Sequence, residues 1–521
     1  MKNMSLYQIA AACKGQLVLP SHCGEPDCGV TVSGDAAVAC VTADTEVTSA
    51  VLDSRQVTAG ALFFATLGER VDGHKFIGSA YEKGAYCVVT QKTPQQVEAE
   101  HGIAAGCWGA YILVEDTLAA LKEIAAYYRF TLEIPFVGIT GSVGKTSTKE
   151  FIAGVLSEKY RVLKTEGNYN NEIGVPLTIL RIREEHQAAV VEMGISEFGE
   201  MSRLSKIVRP NVCVITNIGQ CHLENLKTRD GILKAKSEIF EYMAEDAQVC
   251  LNGEDDKLKT VTQVKGRPVH FFGLGDNPAE EVYATDVVSK GLFGSEAVLH
   301  MPVGGCDAAG QLAAGETDCD VLVDGEEVKA QRQQEVQLPI CVTLPGVHMV
   351  INAAAAACVG RLLGLSQDQI VEGIRKVEPV SGRSHLISLE KYTLIDDCYN
   401  ANPVSMRAAI DLLNMADNHK IAILGDMFEL GTDSDKMHRQ TGEYAAMAGI
   451  DRIICIGENA RHMYEGSCEA GGKECVYFAA KSDFLEAYRL EGEELLPADS
   501  TVLIKASHGM EFAEIVKLLE Q

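Results

Sequence analysis

Basic residues are scarce in this 521-residue chain: 46 Lys and Arg stand against 73 Asp and Glu, a net charge of −27. A field of that sign repels polyanions, so nucleic acid is excluded as the main partner, although local loops can still grip small anionic substrates. Long apolar runs are also missing, and no segment reaches the length of a membrane-spanning helix. Ala10-Ala11-Ala12-Cys13 has the outline of a lipoprotein cleavage site, but Gln8 interrupts the stretch before it, and an amphipathic first helix is the better reading. Zinc-site spacing is absent, because Cys23/Cys28 and Cys468/Cys475 lack close repeats and His partners. The 17 cysteines are scattered, with Cys213, Cys250 and Cys455 in apolar strand-like runs, which points to free thiols in a reducing cytoplasm. Short repeats and low-complexity linkers are lacking too. What is present, 46% hydrophobic and 23% charged residues, is a soluble globular composition. At about 150 residues per domain, the length predicts roughly three domains.

The pattern along the chain predicts an α/β protein. Residues 1–132 read as a mixed α/β domain, with β-prone segments at Val41–Val51, Ala61–Ala65 and Tyr86–Val89 and a closing helix over Thr117–Tyr128. Residues 133–377 alternate short apolar strands (Ile134–Thr140, Ala188–Glu192, Asn211–Asn217, Gln248–Leu251) with helical stretches, the pattern of a parallel sheet wrapped by helices. Glu280–Leu344 breaks that rhythm and reads as extra β-structure, after which Asn352–Leu363 reads as an alanine-rich helix. Residues 378–521 form a third, Rossmann-like βα series, with strands at Tyr392–Asp396, Ile421–Leu424, Arg452–Ile456, Cys475–Phe478 and Thr501–Lys505.

The strongest chemical signal is Gly138-Ile139-Thr140-Gly141-Ser142-Val143-Gly144-Lys145-Thr146, between an apolar strand and the helix carrying Phe151, Ile152, Val155 and Leu156. Glycines turn backbone N–H groups toward phosphate oxygens, the helix N-terminus adds positive potential, Lys145 reaches the terminal phosphates and the Thr146 hydroxyl can ligate magnesium. The run departs from the strict P-loop pattern in having Ile139 at the first glycine position. A nucleotide site also needs metal-holding groups from neighbouring strand ends. Glu192 ends an apolar run, His222 follows a strand through Gly219, and Lys236 lies on the next helix.

Thr140–Thr146, Glu192-Met193-Gly194, Thr216-Asn217-Ile218-Gly219 with His222-Leu223-Glu224, and Ala235-Lys236-Ser237-Glu238 together resemble the ATP-binding domain of the Mur ligases, which build the peptide stem of bacterial peptidoglycan. Gly167–Pro176, with Asn168, Asn170 and Asn171, and Asp396–Pro403, with Asn400 and Asn402, resemble the branch of that family that adds D-alanyl-D-alanine. Asp53-Ser54-Arg55, Asp72-Gly73-His74 and Leu424–Gly431 support the match. The resemblance implies an ATP- and Mg2+-dependent ligase, cytoplasmic and monomeric, acting on UDP-muramoyl-tripeptide and D-Ala-D-Ala through an acyl phosphate. It makes residues 1–132 the UDP-muramoyl-peptide domain, 133–377 the ATP domain, and 378–521 the domain that contacts D-Ala-D-Ala and ATP. It further implies that Gly141, Ser142, Val143, Gly144, Lys145, Thr146 and Ser147 hold the phosphates, with Asn352, Arg383, Asp397 and Tyr399 on the nucleotide. Thr146, Glu192, His222 and Lys236 serve the metal, with Lys145, His222 and Lys236 catalytic and Lys236 carbamylated as in several relatives. Ser54, Arg55, Asn168, Asn170, Asn171, Asn400, Asn402, Lys505 and Ser507 face the other substrates. Two departures stand out: Met349 where the family usually has asparagine, and His508 where it commonly has arginine. For Tyr399, adenine stacking and plain core packing weigh equally. Competing readings are weaker. Asp276-Asn277-Pro278, a motif of the ligase that adds the third stem residue, falls in the wrong domain. Folylpolyglutamate synthases would not be expected to carry Asn400-Ala401-Asn402-Pro403, and a nucleotide switch with a degraded site should lack Lys145, Glu192 or His222.

Overall fold

The computed structural model describes residues 4–20, 41–68, 71–105, 108–275, 277, 279–303 and 335–520. Cys23, Cys28, Asp276, Pro278 and residues 304–334 of the extra β-segment lie outside these. Three sheets organise the chain. The first has five strands in the order Gln16–Val18, Ala110–Leu113, Cys87–Thr90, Ala61–Phe64, Ser49–Val51, parallel except for the first pair. Only Ser49–Val51 of the expected Val41–Val51 segment is strand, because Thr45 turns the chain back on Thr42 through paired hydrogen bonds.

The central sheet has nine strands. Its heart is Gln248–Asn252, Val212–Ile215, Phe136–Thr140, Ala188–Glu192 and Val162–Lys164, all parallel. Every residue of Phe136–Thr140, Ala188–Glu192 and Val212–Ile215 is buried, as expected of strands covered on both faces. One face packs on helices Lys145–Ser157, Val347–Leu362 and Gln367–Arg375. The other packs on Gly174–Leu180, Glu200–Val208 and Arg229–Ser237, and its apolar layer runs on into the first sheet through helix Thr117–Phe130. The first and central sheets therefore share one continuous core. The extra β-segment extends the central sheet through Glu280–Ser289, Ser295–Pro302 and Glu335–Val342, the last two added antiparallel.

The alanine-rich helix begins at Val347, a turn earlier than its sequence pattern suggests, because Gly346 at φ +99° ends the preceding extended segment. Asn352 thus sits inside the helix rather than at its start. Ala353–Ala357 are all fully buried, and such small side chains let this helix come close to the one at Lys145–Ser157. The third sheet, His385–Ser388, Tyr392–Asp396, Ser500–Lys505, His419–Gly425, Arg452–Ile456, Glu474–Phe478, is parallel apart from its first pair and has its own core on each face. No helix among the described residues is long and apolar enough to cross a membrane.

Candidate active site

Strand Phe136–Thr140 lies where the order of the central sheet reverses, with Ala188–Glu192 on one side and Val212–Ile215 on the other. At such a switch point the loops leave in opposite directions and open a crevice at the strands' C-terminal ends. The loop after Thr140 fills that crevice. Gly144 takes φ +80° as it enters the helix, and a Cβ on Gly141 would lie 1.9 Å from Thr216 Oγ1. The neighbouring strand end braces the loop: Thr216 Oγ1 and Asn217 Nδ2 donate to the Val143 carbonyl at 2.6 and 3.0 Å. The Val143 N–H donates to Asn217 Oδ1 at 2.9 Å, and the Gly219 N–H to Ser142 Oγ at 2.8 Å. No side chain caps the helix that starts at Lys145, so its first N–H groups remain available to an anion. Asn217 is thus a structural brace of the site, a role its place in the sequence motif did not reveal.

Behind the loop, Glu192 is 1% exposed. Its Oε2 accepts from Thr146 Oγ1 at 2.8 Å and its Oε1 from Asn170 Nδ2 at 2.9 Å. Lys149, one helical turn after Lys145, is also buried; its Nζ donates to the Thr165 carbonyl at 2.7 Å and lies 3.9 Å from Glu192 Oε2. Sequence reading missed Lys149, although its i+4 spacing from Lys145 was the available signal. Lys145 is half-buried and donates to the Gly141 carbonyl at 2.8 Å. Burial lowers its pKa, Glu192 and Cys221 oppose the shift, and the charge of Arg383 adds to it. A hydroxyl and a carboxylate in contact, both beside the phosphate loop, form the hard-oxygen set that magnesium prefers, so these residues fit the ion.

Lys236 is 1% exposed, and its ammonium makes no hydrogen bond or ion pair with a described residue. Burial pulls its pKa down to about 8, with Cys221 opposing and the charge of Lys145 adding to the fall. His222 opens a short helix at φ +51°, and its Nδ1 lies 2.9 Å from Glu429 Oε2 of the third domain. The Leu424–Gly431 run thus reaches the central domain directly.

The nucleotide-facing candidates come from both domains. Asn352 Oδ1 accepts from Thr148 Oγ1 at 2.9 Å, and its Nδ2 lies 3.5 Å from Met349 Sδ, so Met349 packs directly on the polar group it accompanies. Asp397 Oδ2 accepts from buried Lys505 at 2.6 Å and Oδ1 from the Ser384 N–H at 2.9 Å. The Arg383 guanidinium stacks 3.8 Å above the Tyr399 ring, whose centroid is 5.5 Å from that of His508. Tyr399 feels the charge of Glu192 as Lys145 feels that of Arg383, so the two domains meet electrostatically over the loop.

The remaining candidates are more dispersed. Asn402 caps helix Pro403–Asn414 through its Oδ1, Asn171 Oδ1 accepts from the Ile173 and Gly174 N–H groups, and Ser507 Oγ accepts from the Phe428 N–H. These side-chain oxygens have structural partners. Asn168 and Asn400 are exposed. Ser54 is buried, with its carbonyl held by Lys83, while exposed Arg55 pairs with Asp53. Among the described residues no contact joins Ser54 or Arg55 to the phosphate loop.

Three family models match the chain in order: Mur ligase family catalytic domain over residues 46–129, Mur ligase middle domain over 139–360, and Mur ligase glutamate ligase domain over 382–508. A Bacillus subtilis protein named UDP-N-acetylmuramoyl-tripeptide--D-alanyl-D-alanine ligase is 32% identical over 469 residues, 89% of this chain and 91% of its own length. The crystal structure of MurF from Acinetobacter baumannii superposes with a TM-score of 0.79 at 28% identity, covering 99% of both chains. That of MurF from Thermotoga maritima in complex with ADP gives 0.70 at 26% identity, covering 91% of this chain and 97% of the other. With the three family models matched in order along it and a relative 32% identical over 89% of its length, this chain belongs to the Mur ligase family.

Proposed function

We propose that the chain joins D-alanyl-D-alanine to UDP-N-acetylmuramoyl-tripeptide at the expense of ATP. The observation that carries this reading is the meeting of Lys145, Thr146 and Glu192 on the central sheet with Arg383 and Tyr399 of the third domain. In the first step a carboxylate oxygen of the tripeptide attacks the γ-phosphorus, the bond to the β–γ bridging oxygen breaks, and ADP leaves. In the second the dipeptide amine adds to the acyl carbon, and phosphate departs with the former carboxylate oxygen. Two anions must approach each other before the first step, so the chain's task is to neutralise and align them. The uncapped N–H groups at the helix start bind phosphate oxygens. Lys145, which holds only a loop carbonyl, turns toward the transferring phosphoryl group as charge develops there.

Thr146, Glu192, His222 and Lys236 would hold magnesium, which when bound would supply positive charge to offset that of the reacting anions. Lys236 suits that set as a carbamate. A buried amine with a pKa near 8 is partly neutral at physiological pH and can add carbon dioxide, converting an ammonium that would repel a cation into an anionic oxygen donor. Asn352, Arg383, Asp397 and Tyr399 take the nucleoside and phosphates. Ser54, Arg55, Asn168, Asn170 and Asn171 take the nucleotide-linked peptide, and Asn400, Asn402, Lys505 and Ser507 the dipeptide. A cavity of about 300 Å³ lined by Gln220 of the central domain and Pro403, Arg407, Asp433 and Lys436 of the third offers two cations, beside one acid, to a dipeptide carboxylate. The enzyme acts as a monomer in the cytoplasm; the free state of every described cysteine supports the reducing compartment.

The test is ADP formation by purified protein with ATP, magnesium and the diaminopimelate or lysine form of the UDP-tripeptide. Turnover is expected to require both the tripeptide and D-Ala-D-Ala; turnover with a folate and glutamate instead would overturn the reading.

A further inference from the structure

His222 and Glu429 lie on turns of different domains, and each turn holds its residue in the left-handed region, φ +51° for His222 and +61° for Glu429. A non-glycine side chain in that region is strained, and such residues persist where the surrounding structure imposes them. Here two imposed turns bring the imidazole Nδ1 within 2.9 Å of Glu429 Oε2. An exposed ion pair contributes little by itself, and the Glu429 side chain is 63% exposed, so stability gives no reason for two strained turns to converge. Orientation does. An imidazole that donates its Nδ1 proton to a carboxylate has its tautomer fixed, and its Nε2 lone pair is left for a metal.

We propose that Glu429 is a positioning residue for the metal site: from the third domain it holds His222 in the Nδ1–H tautomer and aims Nε2 at the ion. The inference rests on the reading of His222 as a magnesium ligand. Its consequence is a physical link between domain docking and metal binding, because the acceptor that orients His222 is present only when the third domain lies against the central one.

The test uses full-length protein with ADP and Mn2+ as the probe, with bound metal followed by loss of the free Mn2+ resonance. His222→Ala identifies the uptake that depends on the imidazole. Glu429→Ala is expected to weaken that same uptake roughly 10–100-fold, and Glu429→Gln, which keeps an acceptor without the charge, to weaken it less. Nitrogen-15 spectra of histidine-labelled protein should show His222 as Nδ1–H in the parent and shifted toward Nε2–H in Glu429→Ala. An unchanged melting temperature establishes that this exposed substitution leaves the fold intact. If Glu429→Ala binds Mn2+ as well as the parent or more tightly while His222→Ala binds it weakly, Glu429 has no positioning role, although His222 remains a ligand. If His222→Ala itself leaves Mn2+ uptake unchanged, the metal reading of His222 and the role of Glu429 both fall.

Discussion

Lys145, half-buried, and Lys236, fully buried, lie near one loop, yet their surroundings give them different tasks. Lys145 has a single carbonyl partner in its own loop, so its charge is available to a ligand at little structural cost. Lys145→Ala is therefore expected to lower kcat by roughly 10²–10³-fold or more while changing stability by less than about 0.5 kcal/mol; steady-state kinetics beside a denaturant titration checks both. The Lys236 ammonium has no hydrogen bond or ion pair with a described residue, and an unpaired buried ammonium is an expensive thing to keep. Lys236→Ala should be nearly inactive, and acetate or a similar short carboxylate should restore part of the activity by occupying the vacated volume with a negative donor. Restoration by small amines instead would make the ammonium the working form. Thr146 and Glu192 were legible in the sequence because a phosphate loop and a strand-end acid are local patterns. The bond between Thr148 and Asn352 spans 204 residues, and nothing local in either segment announces it.

The elements that carry these residues are secured by polar joints that apolar periodicity does not reveal. Arg129, on the last turn of helix Thr117–Phe130, is 7% exposed and donates to the carbonyls of Val208 at 2.7 Å and Arg209 at 3.0 Å while its guanidinium lies 3.8 Å over the Phe136 ring. It fastens the first domain's closing helix to the strand that leads into the phosphate loop. Arg129→Ala should destabilise the protein by about 2–4 kcal/mol by orphaning these carbonyls, and Arg129→Lys should recover little, since an ammonium cannot reproduce the planar fork. In the first domain Asp72 accepts from the side chains of His74, Lys92 and His101 at 2.6, 2.9 and 3.0 Å. Burial raises its pKa, but the His74 N–H and the Lys92 and His74 side chains together hold it well below the usual carboxylate range. A depressed carboxylate stabilises the fold above its unfolded pKa and loses that contribution as pH falls through the folded one. Asp72→Asn should cost about 1–3 kcal/mol at pH 7, and its deficit should shrink as unfolding is measured at successive pH values from about 5 toward 2. The alternation of apolar runs revealed most strands of the central and third sheets, but the strands Gln16–Val18, Ala110–Leu113, Val162–Lys164, His270–Gly273 and His385–Ser388 were not legible in it. The start of the Val347–Leu362 helix and the end of the Val41–Val51 extension were not legible either, because a glycine turn and a threonine turn set them.

At the scale of the whole molecule, the first and central sheets share a continuous core while the third has cores on its own two faces, so the nucleotide site lies where that pair meets the third domain. That arrangement suits a reaction whose second substrate must arrive after the first has been phosphorylated, since the third domain can dock over the loop and exclude water. Sequence motifs named the parts on both sides of this junction, but the pairing of His222 with Glu429 and the stacking of Arg383 on Tyr399 depend on how the domains meet. The central claim is that the tripeptide carboxylate itself is phosphorylated. Tripeptide labelled with oxygen-18 in its terminal carboxylate, turned over with ATP and D-Ala-D-Ala, should release phosphate that carries one labelled oxygen per molecule. Phosphate without label, formed by transfer of the γ-phosphoryl group to water, would contradict the account.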